Sequence, residues 1–178
     1  MRWPDLADIL KPLPWAVIGA VAARLYMPER STRDLDVVVL AQDAPEARRR
    51  LRAAGYSYLG ELTIGGSSWT SPDGVPVDLI EGRDPWWPQA LAEAAANRDA
   101  QGLPVLPLPY LVLTKLLSGR VQDLADITRM LGQADEESLT RVRALIAQHV
   151  PDAMEDLESL IALGKLEREG EEGRATSP

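Results

Sequence analysis

Cysteine is absent from this 178-residue sequence, which excludes disulfides, zinc–thiolate sites and thiol nucleophiles. Only one histidine is present, His149, so histidine-rich metal sites are excluded and a serine–histidine triad is disfavoured. No stretch approaches the roughly 20 apolar residues that span a bilayer, and the opening Met1-Arg2-Trp3-Pro4-Asp5 lacks the basic region and apolar core of a signal peptide. The expectation is a cytoplasmic protein with no membrane partner. Basic residues are in deficit, 19 against 27 acidic ones for a net charge of −8, which argues against a sequence-blind nucleic-acid binder. Carboxylate, lysine, arginine and hydroxyl chemistry remain.

What is present is the composition of an ordinary globular protein, 46% hydrophobic and 26% charged, on a chain long enough for one domain or one domain with a helical appendage. The acidic surplus is unevenly placed. From Asp135 onward there are eleven acidic and five basic residues, so the rest is nearly neutral. Within that remainder Arg24, Arg30, Arg33, Arg48, Arg49, Arg50 and Arg52 fall close together and offer an anionic ligand a local home.

Residues 15–18 form a short apolar run ending at Gly19, after which Val21, Ala22 and Leu25 recur at helical spacing, predicting strand, tight turn and helix. The β-branched run in Leu35-Asp36-Val37-Val38-Val39-Leu40 predicts a buried strand. Asp43 with Glu46 three residues on predicts a capped helix that ends at Gly55. Residues 56–62 alternate weakly as a strand, and residues 63–70 and 75–81 flank the turn Ser71-Pro72-Asp73-Gly74 as a hairpin. A helix over 89–97 and an extended, proline-rich 103–109 follow. From Tyr110 the pattern is helical, with 110–117, then 121–131 closed by Gly132, then 137–149 and 152–163. Beyond Gly164 the glutamates and glycines predict a mobile acidic tail. The organisation expected is an α/β core over 1–109, a helical segment over 110–163 and a tail over 164–178.

Asp34 and Asp36 stand two apart at the mouth of a strand, which turns both carboxylates to one face. Such a pair is costly without positive charge between its members, and magnesium, which prefers oxygen ligands, is the usual occupant. Asp78 lies mid-strand among apolar residues and points opposite to Val77 and Leu79. A neighbouring strand could place it beside Asp34 and Asp36 to complete a two-metal cluster. Upstream, Gly19-Ala20 runs from strand into helix, where glycine lets a ligand approach the backbone.

Taken in order, Gly19-Ala20, Tyr26, Arg30, Thr32, Asp34-Leu35-Asp36 and Asp78 resemble the nucleotidyltransferase superfamily of the DNA polymerase beta-like fold. They are most similar to small bacterial abortive-infection and minimal nucleotidyltransferases. Lys115, Arg120, Asp123 and Asp126 are similar to the pattern on the helices after that core. The resemblance covers roughly residues 13 to 132. Ala20 departs from it, standing where a second glycine or a serine is usual, as does Met27, where many relatives have glycine.

The resemblance implies a mixed sheet with helices on one side, followed by a helical C-terminal segment. It implies transfer of a nucleoside monophosphate from an NTP to an acceptor hydroxyl or phosphate. Asp34, Asp36 and Asp78 would hold two magnesium ions, and Gly19, Ala20, Arg30, Arg33 and Lys115 would bind the nucleotide. The acceptor is left open among transfer RNA, a small molecule and a protein. The alternative is a catalytically degenerate module of the same fold that binds a nucleotide or a protein, within a toxin–antitoxin or phage-defence system.

Other features read more plainly. Asp123 and Asp126, three apart near Arg120 and Arg129, suggest a salt-bridged helix surface. Arg48 to Arg52 suggests a solvated face, Trp86 and Trp87 an anchor for a loop, and His149 a helix cap or surface residue. Gly65-Gly66-Ser67-Ser68 fits either a mobile acceptor loop or an irregular strand.

Overall fold

The computed structural model describes residues 2–27 and 31–175, with side chains described through residue 170. The chain divides into two compact units, one of residues 1–25 and 30–107, the other of residues 26–29 and 108–178.

The first unit is built on a five-stranded sheet: β1 (Trp15–Val17), β2 (Leu35–Leu40), β3 (Ser57–Glu61), β4 (Gly66–Thr70) and β5 (Pro76–Gly82). The strands lie in the order β1-β2-β5-β4-β3. Only β2 and β5 run parallel; the other neighbours are antiparallel. Val37, Val38 and Val39 are fully buried in the interior strand β2, as a β-branched run should be on a pleated surface covered on both sides.

The β4–β5 turn closes as its sequence predicts, with Gly74 N–H donating to the Ser71 carbonyl at 2.9 Å. A second hairpin joins β3 to β4 through Leu62 to Gly65, so the weakly alternating segment becomes the sheet's edge.

Helices α1 (Ala7–Leu10), α2 (Gly19–Ala23), α3 (Ala44–Ala53) and α4 (Trp87–Ala94) complete this unit. The capping box expected at α3 does not form: Asp43 makes no side-chain cap bond, and Glu46 instead accepts from Arg49 and Arg50. Three charge-assisted bonds outweigh one to a backbone N–H.

Helix α4 begins at Trp87, earlier than predicted, with Pro88 in the first turn where its missing N–H costs nothing. Trp86 and Trp87 are buried and stacked, centroids 4.2 Å apart. A Cβ on Gly82 would strike the Trp87 ring, so the pair anchors the chain leaving β5.

The second unit is helical: α5 (Leu108–Ser118), α6 (Val121–Gln133), α7 (Glu136–His149) and α8 (Met154–Ala175). Asp135 caps α7 by accepting from the Ser138 N–H at 2.8 Å. His149 is exposed at the end of α7.

Two glycines correct the sequence reading. Gly132 does not close α6 but lies within it, against Gly164, which does not begin a tail but lies within α8. A Cβ on Gly132 would land on the Gly164 backbone, and one on Gly164 would lie 2.9 Å from the Gly132 nitrogen. The glycines are there for close helix contact, and the expected mobile tail is helix to Ala175. Among the described residues no helix is long and apolar enough to cross a membrane.

Candidate active site

The parallel pairing of β2 with β5 decides the geometry. Its register sets Asp36 directly beside Asp78, at the roughly 4.8 Å spacing of adjacent strands. Both side chains leave the same face of the sheet, since partners in register share a face. Both are half-buried.

Asp78 accepts no side-chain hydrogen bond and pairs with no cation among the described residues. A half-buried carboxylate with no protein partner costs free energy that a ligand could recover. Asp34 precedes the strand, exposed, and accepts a bond from the Thr32 hydroxyl.

Gly19 closes over this pair. Its φ of +66° lies in the left-handed region that glycine alone enters cheaply. A Cβ there would overlap the Asp36 carboxylate, 2.9 Å from its Cγ. The backbone of the β1–α2 turn therefore rests directly on Asp36, and Ile18 N–H donates to the Asp36 carbonyl at 2.9 Å. Ala20, half-buried, is the next residue of α2. Arg33 is exposed before β2; Arg30 lies outside the described residues.

Lys115 is engaged in an ion-pair cluster. It is buried in the second unit, its Nζ donating to Asp123 and Asp126 at 2.8 Å each. Asp123 also accepts from Arg120 at 2.7 Å and from the Ser118 hydroxyl. Burial alone would raise the Asp123 pKa, but the bonds from Lys115, Ser118 and Arg120 together hold it below the ordinary carboxylate range. Asp123 and Asp126 are thus interior residues and not a salt-bridged surface. The signal was present: Lys115 is the only lysine between Lys11 and Lys165, set in an apolar helix.

Of the α3 arginines, Arg49 and Arg52 are exposed, as a solvated face requires, while Arg48 and Arg50 are half-buried. Arg48 bridges Glu61 and Glu81 at 2.9 and 2.7 Å, Arg49 and Arg50 hold Glu46, and Arg52 lies over the Tyr58 and Trp69 rings. Arg48 and Arg52 tie α3 to the face of the sheet opposite Asp36 and Asp78.

Among solved structures, the chain is similar to the antibiotic-resistance factor ANT(2'')-Ia in complex with adenylyl-2''-tobramycin, at 17% identity and a TM-score of 0.50 over 88% of this chain and 89% of that one. This is a nucleotidyltransferase fold. A candidate nucleotidyltransferase of Thermotoga maritima aligns at 18% identity and a TM-score of 0.48 over 71% of this chain and 90% of that one. The lincosamide adenylyltransferase LnuA with lincomycin aligns at 10% identity and 0.40 over 74% and 84%. No protein-family profile and no curated protein sequence matches the chain.

Within a nucleotidyltransferase fold the Asp36–Asp78 row and its glycine turn form one constellation. Among the described residues no three carboxylate or imidazole side chains converge as a ready-made cation cage. The donor set is nonetheless all oxygen, and Asp78 has no side-chain partner among the described residues to give up, which suits a hard divalent cation.

Proposed function

We propose that this protein is a magnesium-dependent nucleotidyltransferase that moves a nucleoside monophosphate from an NTP to an acceptor hydroxyl or phosphate. The observation that carries the reading is the register pairing of Asp36 with Asp78 beneath the Gly19 turn. Asp36 and Asp78, with Asp34 from the strand entrance, would hold the metal. Two magnesium ions, when bound, supply charge neutralisation at the α-phosphate and the departing pyrophosphate and ease loss of the acceptor's proton.

The chain's own residues do the rest. The Gly19-Ala20 backbone brings N–H groups close to the phosphates without an intervening side chain. Arg33, and Arg30 before it, offer charge to the β- and γ-phosphates. Asp78, on the side of the row away from the Gly19 turn, takes the proton of the attacking hydroxyl. The acceptor oxygen bonds to the α-phosphorus as the bond to the β-phosphate oxygen breaks in line.

The ANT(2'')-Ia complex holds adenylyl-2''-tobramycin, which supports trying small hydroxyl-bearing molecules as acceptors before transfer RNA or protein. The test is incubation of the protein with each α-labelled NTP, magnesium and fractionated cell extract. Label moves to an acceptor with the wild type and not with Asp36→Asn. Equal transfer by the two, or none by either, defeats the proposal.

A further inference from the structure

Beyond Asp78 the same row continues. On β4, Ser68 is the register partner of Asp78, and on β3, Gly60 is the partner of Ser68. Asp36, Asp78, Ser68 and Gly60 therefore form one line across four strands, all on one face of the sheet.

The two adjacent serines of β4 have different fates. Ser67 points to the opposite face, fully buried, and accepts the Trp69 indole N–H at 2.9 Å. That hydroxyl is committed to packing. Ser68 is half-buried and makes no side-chain hydrogen bond among the described residues. Its two neighbours in the row are an unpartnered carboxylate on one side and, on the other, a glycine with nothing within 4 Å of where its Cβ would be.

Cross-strand partners hold their Cβ atoms about 4.5–5.5 Å apart, within which a serine hydroxyl reaches a carboxylate oxygen by χ1 rotation alone. We propose that Ser68 is a positioning residue for the acceptor: its hydroxyl donates to Asp78 and fixes that carboxylate's orientation toward the attacking oxygen, with the open space over Gly60 receiving the acceptor's body. The inference rests on the nucleotidyltransferase reading above. It assigns the hydroxyl to the acceptor side, because Asp78 separates Ser68 from Asp36 and the Gly19 turn.

The experiment compares Ser68→Ala, Ser68→Thr and Asp36→Asn with the wild type. It measures release of labelled pyrophosphate from γ-labelled NTP with magnesium and the small-molecule fraction of cell extract as the acceptor source, and labelled-NTP binding by equilibrium dialysis. Ser68→Ala should lower kcat about 10–100-fold, the usual cost of losing a group that orients a catalytic ligand. NTP binding and the KM for NTP should stay within about twofold of wild type, and Ser68→Thr, which keeps the hydroxyl, should recover most of the rate. Wild-type behaviour of Ser68→Ala, parallel loss of NTP binding, or failure of Ser68→Thr to recover would overturn the proposal while Asp36→Asn remains inactive. A wild type no faster than Asp36→Asn would instead bring down the nucleotidyltransferase reading itself.

Discussion

At the scale of single residues, the site turns on what is missing at position 19. Because the Asp36 carboxylate already occupies the space a methyl would need, Gly19→Ala must either rotate Asp36 away or move the turn off it. The left-handed φ adds a further penalty of about 1–2 kcal/mol. A misplacement of about 1 Å at a reacting centre costs about 100-fold. We expect Gly19→Ala to lose at least that much transfer activity while circular dichroism shows the fold retained; activity within tenfold of wild type would contradict the contact.

Lys115 gives the opposite expectation, since its side chain is spent inside the second unit. Lys115→Met deprives two buried carboxylates of their shared cation and should cost about 3–5 kcal/mol in urea unfolding. Asp123, held below its ordinary pKa by these partners, contributes stability that is fully present above its unfolded value near ~3.9 and is lost as pH falls through the lower folded value. Melting temperature plotted against pH in that acid window should fall more steeply for wild type than for Asp123→Asn.

At the scale of elements, the sequence exposed the parts with strong local signals and hid those set by tertiary partners. The valine run of β2, the Ser71–Gly74 turn and the strand–glycine–helix at residue 19 were all legible, because periodicity and turn chemistry act within a few residues. The pairing of Asp36 with Asp78 was foreseen only as a possibility, since register between strands so far apart leaves no local mark. Glu46 looked like a capping residue because two arginines that would claim it read as surface charge. Gly132 and Gly164 looked like terminators because a packing glycine and a stop glycine are written with the same letter.

The last pair can be checked. Gly164→Ala drives a methyl into the Thr128–Gly132 stretch of α6 and should destabilise the protein by about 1–3 kcal/mol. Gly170→Ala, with nothing within 4 Å, should be neutral or stabilising by up to about 1 kcal/mol. Equal urea midpoints for the two variants would remove the close helix contact.

At the scale of the whole molecule, the acidic total that argues against a sequence-blind nucleic-acid binder belongs mainly to the helical unit, where Glu136 and Glu158 engage Lys165 and Arg143. The sheet unit that carries Asp36 and Asp78 is close to neutral. Its central pairing also sets an order of events. Asp36 and Asp78 lie 42 positions apart along the chain, further than the partners in any other pairing between the five named strands, so the pair exists only once that long-range contact has closed. Pairings of this kind form late, because the entropy of closing a long loop comes before any reward. Each hairpin can form early without producing half a site. In a refolding time course, recovered transfer activity should therefore trail the return of far-ultraviolet circular dichroism and coincide with the final burial of tryptophan fluorescence. A nascent or partly unfolded chain would then hold no competent site, and activity would report the finished sheet alone.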